Sequence, residues 1–310
     1  GDRPGRHRHP PTCVDAPATL RLTLLRESSL GPRRLILAPL EEVGAQTARL
    51  HTVAMSTPTP SRGVYRAGVT ALLAALWSAC SQAPPCLTQR ATPARTLMVG
   101  NSFTFWNRGL WFPLQDMLGG KERGVMVRPS VQGGASLATH AARERLNRQL
   151  EEGDYDLVIL QGDIPESTVE AFEENARTLI QRSRDSGAEP LLFMAWDYQR
   201  LGWLTLREII AAHQRVADDS GVMLAPVGAA FLLARDRRQD LDLYDADREH
   251  PSVLGSYLAL IILHATITGT DPRANTEMPG VFRRVRDDDA RDLRQIAWQA
   301  IHDEHNRTQD

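Results

Sequence analysis

Cysteine is scarce in this 310-residue chain, and so is lysine. Cys13, Cys80 and Cys86 all precede the stretch where regular patterns begin, which excludes a disulfide framework and leaves the patterned part without thiol chemistry. Lys121 is the single lysine against 35 arginines. Excess charge is missing too: the net is −2, without the clustered basic face that nucleic-acid binding requires. Glycine and proline stand at ordinary counts of 22 and 19, and 42% of residues are hydrophobic, so collagen-like, low-complexity and wholly disordered chains are excluded. Most of the chain is expected to fold, as one large domain or two small ones.

The near-neutral balance hides a division at about residue 80. Residues 1–79 hold 10 arginines and 5 acids, a net of +5, whereas the rest holds 26 basic and 33 acidic residues, a net of −7. Residues 1–54, with scattered Arg and Pro and few periodic apolar runs, are read as a disordered or non-native leader. Met55 opens a different pattern over residues 55–79, in which Arg62 and Arg66 precede the 11-residue apolar run Ala67–Trp77. That run is too short for a membrane-spanning helix and suits the core of a secretory signal peptide. Leu76-Trp77-Ser78-Ala79-Cys80 follows, and it resembles the lipobox of bacterial lipoproteins, although Trp77 stands where an aliphatic residue is usual. The resemblance implies cleavage before Cys80, lipid attachment to its sulfur, and anchorage to a membrane at the cell envelope or periplasm. Residues 80–94, polar and proline-bearing, would then be a tether. An ordinary export signal cut near Ala83, or a short buried helix, is the alternative.

From Arg95 onward short apolar runs alternate with amphipathic stretches, the pattern of βαβ units on a parallel sheet. Strands are expected at Thr96–Val99, Val125–Val131, Leu157–Leu160, Pro190–Ala195 and Val222–Ala225. Helices are expected around 108–118, 138–151, 166–186, 203–219, 227–236, 252–268 and 286–303, the last two by helical spacing of their apolar residues. Such a sheet places its active site beyond the carboxyl ends of its strands.

The first strand ends in Gly100-Asn101-Ser102, which sets a hydroxyl at the mouth of the sheet. Taken alone, this is also ordinary turn chemistry, with the serine capping the next helix. It is neither the G-x-S-x-G elbow of α/β-hydrolases nor a glycine-rich phosphate loop. Far along the chain stands Asp247-Arg248-Glu249-His250-Pro251-Ser252. In a tight loop that spacing lets Asp247 accept from one imidazole nitrogen of His250 while the other faces outward, the partner a serine hydroxyl needs to become a nucleophile. A solvated helix-start loop capped by Ser252 is the plain alternative. A calcium loop is the weaker one, because the EF-hand glycine and terminal glutamate are missing.

Together the two blocks, separated by βαβ units, resemble the SGNH (GDSL-like) hydrolases over residues 95–305. The resemblance implies a three-layer α/β/α flavodoxin-like fold with a five-stranded parallel sheet. It makes Ser102 the nucleophile and one oxyanion-hole donor, His250 the base and Asp247 its orienter. It also implies an oxyanion-binding glycine after the second strand, which falls on Gly133, with Gly134 beside it. The chain departs from the family after strand three: where Gly-x-Asn is usual, the sequence reads Gln161-Gly162-Asp163. Counting along the strand puts Asp163 at the asparagine's place, but an ionised carboxylate accepts hydrogen bonds and repels an oxyanion, so Gln161 is expected to replace the asparagine as donor; the alternatives are that Asp163 holds a substrate hydroxyl or that the hole has only two donors. The expected activity is serine esterase, with O-acetyl groups on carbohydrate as candidate substrate. An acyltransferase or lipid esterase using the same triad, or an inactive ligand-binding lipoprotein, are the alternatives. No metal, cofactor or nucleic-acid partner is expected.

Trp106, Trp111, Trp196, Tyr198 and Trp203 cluster near strand ends, where they either line a sugar cleft or belong to the core. His140, His213 and His264 lie in helical stretches and are read as structural. His302 and His305 lack the spacing of a metal site.

Overall fold

The computed structural model describes residues 89–309. The leader, the signal-peptide reading, Cys80 and most of the tether lie outside the described residues.

Five strands, β1 (Arg95–Gly100), β2 (Met126–Val131), β3 (Leu157–Gln161), β4 (Glu189–Phe193) and β5 (Met223–Ala225), form one parallel sheet in the order β2-β1-β3-β4-β5. This is the flavodoxin-like order and places a topological switch point between the carboxyl ends of β1 and β3. β1, β3 and β4 read largely as apolar runs because helices cover both faces of the sheet, whereas the edge strand β2 carries Arg128, Pro129 and Ser130. Met98, Ile159, Leu191 and Phe193 point to one side, into a core shared with α2 (Trp111–Met117), α7 (Val227–Arg237), α8 (Val253–Thr268) and α9 (Asp287–Arg307). Leu97, Val99, Val158, Leu160 and Leu192 point to the other side, against α3 (Leu137–Ala141), α4 (Glu144–Glu152), α5 (Val169–Asp185) and α6 (Leu206–Ser220). Strand alternation thus divides one apolar sequence between two cores.

Helix ends follow local chemistry. A capping box joins Thr205 and Glu208 at the start of α6, and Gly221 closes that helix in the left-handed conformation at φ 58°. Ser136, Thr168 and Ser252 cap α3, α5 and α8 through their hydroxyls.

Two helices differ from expectation. The stretch 138–151 is split, because Arg143 is extended (φ −96°, ψ 120°) between α3 and α4. His140 binds α3 to the Gly100 carbonyl at 2.9 Å, while Leu146 and Leu150 bury a separate face of α4. Helix α8, expected to be apolar on one face, is buried almost all round between the sheet and neighbouring helices, as its unbroken LALIIL run requires. A short helix, α1 (Ser102–Phe105), follows β1 directly and is not signalled by any periodicity.

Candidate active site

Gly100 ends β1 where no side chain fits: a Cβ there would meet the Thr104 hydroxyl and, at 2.6 Å, the Gln161 amide oxygen. The chain then turns sharply into α1. Asn101 caps that helix, its side-chain oxygen accepting the Phe103 N–H at 3.0 Å, and its amide nitrogen donates to the Asp163 carboxylate. Ser102 is the first residue of α1, at the carboxyl edge of the sheet, and keeps 7% of its surface exposed.

His250 approaches the same turn from the loop ahead of α8. Its Nδ1 lies 2.6 Å from Asp247 Oδ2, and Asp247 Oδ1 accepts the backbone N–H groups of Glu249 (3.0 Å) and His250 (2.9 Å). Burial alone would raise the Asp247 carboxyl, but the His250 ring and these two amides outweigh it and hold it below the usual carboxylate range. With Nδ1 engaged, Nε2 is the ring nitrogen left for chemistry.

The imidazole meets the helix that carries Ser102. Trp106, four residues beyond the serine, stacks on the His250 ring at 3.8 Å and 14°, and Phe103, the serine's neighbour, meets it edge-on at 6.1 Å. The loop is tied down on several sides. Trp106 Nε1 donates to Asp245 (3.1 Å), Trp196 Nε1 to the Glu249 carbonyl (3.0 Å), and Asn107 Nδ2 to the Pro251 carbonyl (2.9 Å). Beneath it, Phe103, Trp196 and Phe231 form a stacked column with centroids 4.3 Å apart at each step. The role of Trp106 as the platform for the imidazole is not visible in the sequence, where it appears only as one aromatic among several near strand ends. Trp196 and Tyr198 are core residues, while Trp203 is 53% exposed.

Gly133 lies in the turn after β2, as expected. Its Cβ would meet only Phe105, at an ordinary 3.7 Å, so the lack of a side chain is not what the space demands. Gly134 is the residue with the glycine conformation, at φ 63°.

The expectation for Gln161 needs correction. Its side-chain oxygen accepts the Asn101 N–H at 2.9 Å and the Thr104 hydroxyl at 3.0 Å, and its NH2 donates to the Gly162 carbonyl at 2.7 Å. With 1% of the residue exposed, the amide braces the turn beneath Ser102, and one of its two N–H groups is taken by the Gly162 carbonyl.

Asp163, two residues beyond Gln161, is likewise only 1% exposed. Its Oδ2 accepts from Asn101 Nδ2 and, at 2.9 Å, from the Tyr198 hydroxyl, whereas Oδ1 has no partner. Burial is the main cause that pushes its carboxyl up to about 7, against the opposing pull of those two donors.

The histidines read as structural are buried. His213 Nδ1 donates to the Ile209 carbonyl (2.8 Å), and burial lowers it to about 4. His140 and His264 are lowered for the same reason. Among the described residues no cluster of three metal-ligating side chains occurs.

No family model and no curated protein matches the sequence. A protein of Slackia heliotrinireducens described as a candidate SGNH hydrolase is 30% identical to this chain, over 56% of this chain and 98% of its own length, with a TM-score of 0.48. The chain belongs to the SGNH hydrolase family. A DUF4886 family protein from Bacteroides uniformis shares the fold at a TM-score of 0.53 and 17% identity, covering 67% of this chain and 94% of that one. An acetylxylan esterase from Geobacillus stearothermophilus matches at a TM-score of 0.47 and 15% identity, over 56% and 93% of the two chains.

Proposed function

We propose that the domain is a serine esterase with Ser102 as nucleophile, His250 as general base and Asp247 as the carboxylate that orients it. The observation that carries this reading is the 2.6 Å contact between Asp247 and His250 Nδ1, made by an imidazole stacked on Trp106 of the turn that Ser102 opens. Asp247 fixes the tautomer with the proton on Nδ1, so Nε2 is a lone-pair acceptor. His250 takes the Ser102 proton as Oγ attacks the ester carbonyl, then returns it to the departing alcohol. Water, deprotonated by the same nitrogen, hydrolyses the acyl-enzyme. Backbone N–H groups of Ser102 and Gly133 are the oxyanion donors in this reading, each worth roughly 3–4 kcal/mol to the transition state.

The substrate class we infer is O-acyl carbohydrate, from family membership and the export signal read in residues 55–79. Lipid attachment at Cys80 and a cell-envelope location belong to the same proposal. Turnover of p-nitrophenyl acetate, abolished in Ser102→Ala and His250→Ala variants that still fold, is the expected result. Activity that survives either substitution overturns the mechanism. Mass spectrometry of the native N-terminus tests the anchor: a diacylglyceryl cysteine at position 80 supports it, and an unmodified start elsewhere ends it.

A further inference from the structure

Asp197 is a buried carboxyl group that the mechanism above does not use. It lies in the segment after β4, directly after Trp196, whose indole N–H holds the Glu249 carbonyl. Its two oxygens face different donors. Oδ1 accepts the Tyr244 hydroxyl, and Oδ2 accepts from the Arg235 guanidinium of α7 at 3.3 Å. Burial, and after it the charge of Asp197, push the phenol of Tyr244 up, so the proton stays on the tyrosine and the hydroxyl is the donor.

Tyr244 stands at the neck of the loop that carries the base. It pairs with Pro251, the residue after His250, in an isolated antiparallel bridge. Beside that bridge, the Asp245 N–H donates to the His250 carbonyl at 2.7 Å and the Ser252 N–H to the Leu243 carbonyl at 2.8 Å. The backbone of His250 is thus fastened to that of Tyr244 and its neighbours. The Tyr244 ring is buried and meets Phe231 edge-on at 5.5 Å, at one end of the column that runs through Trp196 and Phe103 to the His250 ring. The segment after β4 also reaches the loop through Gln199, whose N–H donates to the Arg248 carbonyl at 2.9 Å. A phenylalanine would fill the space of Tyr244 equally well. The hydroxyl adds direction, because a buried donor and its acceptor bind in a narrow range of geometry and so fix the ring and the neck together.

Resting on the esterase reading, we propose that Tyr244 and Asp197 are positioning residues, whose hydrogen bond fixes the neck of the loop and with it the contact between Asp247 and His250. No proton moves along this bond during turnover. The neck needs an acceptor at position 197, not a charge, because Arg235 is exposed and can exchange the carboxylate for water.

Tyr244→Phe keeps the ring and its contact with Phe231 and deletes the hydroxyl alone. A small misplacement of a reacting group costs up to about 100-fold, so kcat for p-nitrophenyl acetate is expected to fall about 10- to 100-fold with KM within about twofold of wild type. Asp197→Ala should fall by the same factor, and the double variant no further, because both substitutions remove one bond. Asp197→Asn keeps an oxygen that accepts the hydroxyl and should restore kcat to within about threefold of wild type. The proton NMR signal of His250 Nδ1–H, carried downfield by its bond to Asp247, reads the positioning without turnover. It should move upfield in Tyr244→Phe and Asp197→Ala and stay in place in Asp197→Asn, each measured well below its own Tm.

Two kinetic results overturn the proposal: a folded Tyr244→Phe with kcat within about twofold of wild type, or Asp197→Asn as impaired as Asp197→Ala. Should Tyr244→Phe fail to fold, the comparison of asparagine with alanine at position 197 decides. An Nδ1–H signal that stays in place in Asp197→Ala also rejects the positioning, even where turnover falls. If wild type turns over no ester, or Ser102→Ala remains active, the esterase reading fails, and the imidazole signal alone then decides whether the bond holds the loop.

Discussion

Replacing Gln161 with leucine separates bracing from catalysis. Leucine has nearly the volume of glutamine, so the cavity left is small, and the cost comes from polar groups that lose their partners. The Asn101 N–H and the Thr104 hydroxyl lose their common acceptor, and the Gly162 carbonyl loses a donor. A buried polar group left unpaired costs about 1–3 kcal/mol, so three of them give roughly 3–6 kcal/mol, with part recovered by rearrangement. For a domain of this size each kcal/mol moves Tm by about 2–4 °C, which sets the expected fall at roughly 6–24 °C. Differential scanning calorimetry measures the fall, and p-nitrophenyl acetate kinetics below the new Tm measures what remains of catalysis. Activity should follow folding, with kcat reduced because the turn under Ser102 is loosened. If Tm moves by less than about 2 °C while kcat drops 100-fold, the glutamine donates to the transition state and the bracing argument is refuted.

Asp247→Asn should keep the fold and lower kcat by between about 100- and 10,000-fold, because an amide cannot hold the proton on Nδ1 of His250; a loss under tenfold in steady-state assays counts against the orienting role. Trp106→Ala removes the stacking platform of the imidazole, worth about 0.5–1.5 kcal/mol, so kcat/KM should fall about 2- to 13-fold with KM for a small ester little changed. Gly133→Ala should be tolerated within about 0.5 kcal/mol by urea titration, while Gly134→Ala, at φ 63°, should cost about 1–2 kcal/mol. Asp163→Asn should be more stable than wild type at pH 8. The folded carboxyl sits at about 7 against an unfolded value near 4, so wild type loses stability as pH rises between those values, by up to about 4 kcal/mol, and the amide does not. Equal urea midpoints for the two proteins at pH 5 and pH 8 would contradict the raised carboxyl.

Much of the fold was legible because periodicity and burial coincide. All five strands stand where the sequence pattern places them, to within two residues at each end, and the pattern is plainest in β1, β3 and β4, whose central residues are buried on both faces. Helix α1 was not legible: four residues carry no period, and the turn that makes them helical depends on Asn101 and on Gln161 from another strand. The contact between Asp247 and His250 could be read from spacing, because it lies within one loop. The meeting of that loop with Trp106 could not, because it joins positions about 140 residues apart. Gln161 and Asp163 show the limit most sharply. Gln161 ends β3 and Asp163 lies two residues on; both are buried, and the amide oxygen accepts twice while one carboxyl oxygen has no partner.

That difference has a thermodynamic reason. An amide buried under the nucleophile turn can satisfy its oxygen and nitrogen with backbone and hydroxyl groups at no charge cost, and the Gln161 oxygen does so twice. A buried carboxyl left with one bare oxygen does not stabilise the fold at neutral pH; burial works against it. Gln161, two residues earlier, supplies the contrast: its oxygen accepts twice, whereas Oδ1 of Asp163 has no partner, so it is the ionised carboxyl that the fold resists.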